Sequence, residues 1–165
     1  MATPTNLPAA QTTGNVLTAA YMNDLRGAFR ILQVVTGTTT TTVSNSTTTH
    51  SDTNLTATIT PQADTNKILV FVTQAVNKTN ANSQNGVNIR LLRGATAVNT
   101  FSLLSLYTGT ALDMWGQVFG MYLDSPATTS ATTYKTQIAN YSPSAAVSAQ
   151  PTSSPSTIIL MEVSA

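Results

Sequence analysis

Ser156-Thr157-Ile158-Ile159-Leu160-Met161-Glu162-Val163 decides how this chain is read. The run stands two residues from the C-terminus, where a loose tail is expected to be polar. Side chains alternate along a strand, so Ile158, Leu160 and Glu162 share one side and Ile159, Met161 and Val163 the other. Both sides are apolar, and a strand of that kind is covered on both faces. The cover comes from within one chain or from its copies. Glu162 is out of place on its side. A buried carboxylate needs a partner or a path to solvent, and Arg90 or Arg93 is expected to pair with it.

Upstream, the hydrophobic period is two. Leu55, Ala57 and Ile59 alternate with Thr56, Thr58 and Thr60, and Pro61 ends that strand. Asn66–Ala75 is a longer strand, apolar on both faces over its first half. Asn77–Gly86 is a polar loop with a turn signal at Asn85-Gly86. Val87–Leu92 and Ala97–Leu106 form a hairpin around Arg93–Thr96. Ala111–Leu123 carries Trp115, Phe119 and Met121 and is interrupted by Gly116 and Gly120, which suggest a bulge or a close-packed ring. Thr133–Asn140 follows, then a Ser-, Ala- and Pro-rich loop over Ser142–Pro155. About eight strands with regular turn signals and no intervening helix predict an all-β fold, an antiparallel jelly-roll β-sandwich.

The first 35 residues read differently, and the expected division is an assembly segment over 1–35 and a sandwich over 36–165. Pro4 and Pro8 make residues 1–15 an extended arm, either frayed or ordered against a neighbour. Thr18 is a plausible N-cap, and Met22, Leu25, Phe29 and Leu32 follow at helical spacing. That short helix packs on its own domain or around a symmetry axis.

Composition narrows the function. Only 8% of residues are charged, against about 25% in an average soluble domain. Seven Lys and Arg against six Asp and Glu give no basic patch for nucleic acid. No run approaches the roughly 18 apolar residues of a membrane span, and no signal-peptide pattern is present. With no Cys, disulfides and thiolate metal sites are excluded. Catalytic machinery is also wanting, so no enzyme activity and no cofactor are expected. The single His50 sits in a polar segment and reads as a solvated loop residue. Asp52 and Asp64 are the one pair considered for calcium, as a remote alternative. The other acids read as turn or capping residues.

Leu123–Ile138, the Asn66–Val70 strand and Ser156–Val163 together resemble a type of small bacteriophage virion protein. They are similar to the jelly-roll domains of phage decoration proteins and fibre tips, loosely akin to trimeric C1q and tumour-necrosis-factor heads. The segment Val16–Leu25 resembles stretches that precede such domains. The resemblance implies a homotrimer with the closing strand near the three-fold axis. The excess of two-faced strands agrees, since an obligate trimer would bury it. The expected trimer interface is Ile158, Ile159, Leu160, Met161, Val163, Trp115 and Phe119. Met22, Leu25, Phe29 and Leu32 are expected to attach the trimer to the major capsid protein. On this reading the chain is a capsid decoration or cement protein, made in the bacterial host cytoplasm and carried on the virion. The alternative is a tail-fibre or baseplate head whose loops, Asn77–Gly86 and Ser142–Pro155, bind host glycans.

Overall fold

The computed structural model describes residues 12–14, 16, 18–20, 22, 31–79, 84–143 and 146–164. Ten strands follow one another: β1 (Ile31–Thr39), β2 (Val43–Asn45), β3 (Ser51–Ile59), β4 (Lys67–Lys78), β5 (Asn85–Arg93), β6 (Thr96–Thr108), β7 (Met114–Asp124), β8 (Thr132–Asn140), β9 (Val147–Ala149) and β10 (Ser156–Val163). One sheet has the order β1-β10-β4-β9-β2, with β7 on the other edge of β4; the second has the order β3-β8-β5-β6. All strand pairs are antiparallel. The chain passes from sheet to sheet at most connections, the exceptions being β1–β2, the β5–β6 hairpin and β9–β10. This is the jelly-roll sandwich expected from the pattern.

The inward positions are the alternating apolar ones. Leu55, Ile59, Ile68, Val70, Leu91, Tyr134, Ile158 and Leu160 form one cluster, and Val76, Val87, Ile89, Val118, Ile138 and Val147 form another. On β4, Gln74 separates the two. It takes part in a buried network whose hub is Gln150. The Gln150 amide is satisfied when its nitrogen faces the carbonyls of Thr41 and Thr53 (3.1 Å each) and its oxygen accepts from Ser156 Oγ (2.9 Å) and Gln74 Nε2 (3.0 Å). The pairing lowers the cost of burying these amides, although Gln74 Oε1 has no partner among the described residues.

Two glycines permit close packing. At Gly120 a Cβ would run into the Phe101 ring, the ring contact anticipated for a glycine in this strand. At Gly37, in β1, it would run into the Thr56 carbonyl on β3, with Ile158 Cγ2 at 3.1 Å behind it. Backbone cannot yield as a side-chain tip does. Gly37→Ala is therefore expected to destabilise the fold by about 3 kcal/mol. Gly109→Ala, which meets open space, should change stability by less than about 0.5 kcal/mol. Urea midpoints of the two variants check the contrast.

Three expectations need correction. Leu32 is not on the helix: it lies in β1, at a bulge between Ile31 and Gln33, because Ile31–Val35 pairs with β10 instead of continuing a helical turn. Asn85-Gly86 is not a turn but the start of β5; Gln84 takes the positive φ (59°) just before it. The Ser142–Pro155 loop contains β9, which pairs with both β2 and β4.

Candidate functional site

The outer face of the larger sheet is built by the residues that alternate with the core. Register aligns Val34, Met161, Leu69 and Leu123 in one row across β1, β10, β4 and β7. The next row is Thr36, Ile159, Phe71 and Met121, and the next Thr38, Thr157, Thr73 and Phe119. Trp115 extends the face along β7 beside Asn77. Phe119 is 72% exposed, Met121 65%, Trp115 55% and Val34 53%; Ile159, Met161, Leu69 and Phe71 are half-buried. A depression of about 400 Å³ opens between Phe71, Thr73, Phe119, Met121, Thr157 and Ile159. A second, of about 370 Å³, lies beside Trp115, Gln117 and Pro155.

The outer face of the opposite sheet is polar. Thr56 and Thr58 of β3 are exposed. Lys135 Nζ pairs with Asp52 at 2.7 Å. Gln137 Nε2 donates to Asp52 at 2.7 Å, and its Oε1 accepts from Arg90 Nε and Nη2 at 2.9 and 2.7 Å. One sheet thus presents an ordinary solvated surface and the other a contiguous apolar one, the mark of a surface that is covered in use.

A second apolar surface lies where the two sheets leave their edges open. Among the described residues, strand β6 pairs only with β5, and β7 only with β4. Between them Leu103 (71% exposed), Leu104, Tyr107 and Leu112 face outward. Leu104 and Leu106 hold positive φ (72° and 58°), and the β5–β6 register shifts there. Left-handed leucines are strained. The bulges they form turn Leu103 away from the sheet.

Among the expected interface residues, Ile159, Met161, Val163, Trp115 and Phe119 share the apolar face. Ile158 and Leu160 do not. They are wholly buried between the sheets, so assignment to an interface is corrected to core. Val34, Phe71, Met121 and Leu123 belong to the face and were missed; their signal was alternation with Val35, Val70, Gly120 and Tyr122. Of the attachment residues, Met22 is exposed and helical, its N–H bonding the Thr18 carbonyl at 3.1 Å, and Leu25 and Phe29 lie outside the described residues.

Glu162 points inward as expected, but among the described residues no arginine meets it. Its carboxylate accepts from Gln33 Nε2 (2.6 Å), Asn66 Nδ2 (2.6 Å) and the Gln62 N–H (2.7 Å). Burial pushes its pKa up, but these bonds outweigh burial and hold it below the usual carboxylate range. Arg90 is engaged by Gln137. Arg93 Nη1 bonds Asp124 at 2.8 Å, and Tyr134 Oη donates to the same carboxylate at 2.6 Å. Burial first, then Asp124, raises the Tyr134 pKa. His50 is half-buried, not fully solvated; burial and then Arg90 lower its pKa. Asp52 is taken up by Lys135 and Gln137, and Asp64 lies in the β3–β4 turn. No metal-binding group of three His, Cys, Asp or Glu exists among the described residues. No described helix is long and apolar enough to cross a membrane.

No protein-family model matches the sequence, and no curated protein matches it. Among solved structures, the chain is similar to infectious bursal disease virus derived T=1 particles (12% identity, TM-score 0.43, 82% of this chain and 37% of that one). The VP2 subviral particle of the same virus overlaps it at 12% identity and TM-score 0.40, over 81% of this chain and 40% of that one. Dimeric latent PorU from Porphyromonas gingivalis overlaps at 8% identity and TM-score 0.39, over 82% of this chain and 13% of that one. The chain spans less than half the length of each of these structures.

Proposed function

We propose that the chain is a structural, non-enzymatic virion protein that works as a homotrimer, a decoration or cement protein on a phage head. The observation that carries this reading is the apolar outer face of β1, β10, β4 and β7, set against a polar face on the other sheet. A two-fold dimer needs one self-complementary patch, whereas a closed three-fold ring joins two different patches. This subunit has two: the sheet face, and the β6–β7 edge with Leu103 and Tyr107. The resemblance to phage decoration domains supplies the setting. Cement of this kind favours the assembled lattice by linkage, because it binds lattice and not separate subunits. Residues 1–30 are assigned the grip on the major capsid protein. The acids and His50 support no hydrolytic mechanism, since Asp52, Asp124 and Glu162 are each held by separate structural partners.

Copy number tests the location. Quantified against the major capsid protein in purified particles, cement is expected in hundreds of copies; a few dozen would assign the chain to a fibre tip or baseplate instead. A chain lacking residues 1–30 retains β1 and Gln33 and is expected to fold as a trimer but not to bind capsids. Normal capsid binding would remove the attachment role from that segment.

A further inference from the structure

The chain has a single tryptophan, and it is not in the core. Trp115 stands largely exposed on the outer face of β7, opposite Asn77 of β4. It borders the cleft of about 370 Å³, whose far wall is formed by Pro151, Ser154 and Pro155. The backbone of that wall is strained. Gln150, Thr152 and Ser153 all hold positive φ (51°, 50° and 59°), and none is glycine. Two prolines stiffen the segment, and the buried Gln150 amide ties it to Ser156 and Gln74. Strain fixed in this way is a feature of ligand-binding walls. Gln117, on the same cleft, is exposed, and its Oε1 has only a long contact from Thr73 Oγ1 (3.4 Å). Ser154 gives its N–H to the Pro151 carbonyl (3.0 Å). Among the described residues, Gln117 Nε2 and the Ser154 hydroxyl have no partner.

The lining selects the ligand. None of the described residues around the cleft carries a charge, so nothing there pairs a phosphate, a carboxylate or an ammonium. A wholly apolar ligand would dry the Gln117 amide and the Ser154 hydroxyl without bonding them. An indole face is flat, apolar and of negative quadrupole, and it attracts carbon-bound hydrogens. A pyranose presents such hydrogens on its faces and hydroxyls around its rim. The cleft, at about 370 Å³, is at the small end of ligand sites, which span about 300–1,000 Å³. We infer that it binds a neutral saccharide ring, stacked on Trp115 and hydrogen-bonded by Gln117 and Ser154. The site does not rest on the proposed trimer. It requires only that Trp115 stay open in the assembly. Trp115 pairs with Asn77 and Met161 with Leu69, so the cleft lies about 26 Å along β4 from the Met161 row of the apolar face.

Fluorescence of the full chain tests the site directly, because Trp115 is the only emitter of its kind. At one protein concentration, methyl glycosides of glucose, galactose and N-acetylglucosamine are titrated in turn. Ligands of about a dozen heavy atoms bind at millimolar strength. At least one of the three is expected to change the emission saturably with a millimolar Kd. Gln117→Ala is expected to weaken that binding about fivefold, and an unchanged Kd would remove Gln117 from the site. Trp115→Ala changes a surface residue and should fold. It is expected to abolish saturation transfer from protein to sugar protons in nuclear magnetic resonance. Emission that stays flat or drifts linearly with all three glycosides to about 100 mM overturns the proposal. So does saturation transfer that persists in Trp115→Ala.

Discussion

Replacing Phe119 and Met121 together by lysine is expected to turn the trimer into folded monomers. Both side chains stand on the outer face of β7, opposite Thr73 and Phe71 of β4, and neither fills the core. In the isolated subunit each change is a surface substitution, worth within about 0.5 kcal/mol. In an interface each would bury an unpaired ammonium, at about 2 kcal/mol or more. Together they should weaken association by about a thousandfold. Sedimentation velocity reads the assembly state, and the far-ultraviolet circular dichroism reports the fold. Thr58→Lys, on the polar face of the other sheet, is the matched control and should leave the trimer intact. A trimer that survives both lysines would show that this face is not the contact. A native chain that sediments as a monomer in dilute buffer would remove the trimer itself.

The face could not be read whole from the sequence, although Ile159, Met161, Val163, Trp115 and Phe119 could. A strand apolar on one side names its own core side. Ile158–Val163 is apolar on both, and only packing against Leu55, Ile59 and Tyr134 settles that Ile158 and Leu160 are interior. The same difficulty affects β4, where Val70 is core and Phe71 is face. Where one side was polar, as in β3, pattern and structure agree along the strand. The N-terminal error has another source. Met22, Leu25, Phe29 and Leu32 fit a helical period, but Ile31–Val35 is a short apolar run that fits either period. Pairing with β10, more than 120 residues away, chooses strand. Strand β9 has only three residues, too few to display any period. The partners of Glu162 were misread for a related reason. Its side was given by alternation. Its donors come from β1 and the β3–β4 turn, which are distant in sequence, and a charge-matching rule favours arginines over amides that pack closer.

Glu162→Gln is expected to cost about 3 kcal/mol at neutral pH, in the range for strong bonds to a buried charge. The carboxylate offers acceptors to Gln33, Asn66 and the Gln62 N–H. An amide in its place keeps one acceptor oxygen but turns an N–H₂ toward this cluster of donors, although Gln33 Nε2 retains the Thr60 carbonyl at 2.7 Å. The folded pKa of Glu162 lies below its unfolded value. Its contribution is therefore complete above the unfolded value, near 4.5, and is lost as pH falls through the folded one. The stability gap between native chain and variant should thus be widest near neutrality and close progressively below about pH 4. Asp52, whose pKa burial raises but which the hydrogen bonds from Lys135 and Gln137 and the Lys135 charge together bring below the ordinary value, adds an acid-dependent slope to both proteins and cancels in the difference. Urea midpoints across that pH range measure the gap, and one that stays constant with pH would assign the loss to packing. The same bonds tie β10 to β1 and to the β3–β4 turn, and β10 carries Ile159 and Met161 on the apolar face. Loosening that strand should therefore weaken assembly as well as folding. At matched monomer stability, set by temperature, Glu162→Gln is expected to sediment with a larger monomer fraction than the native chain.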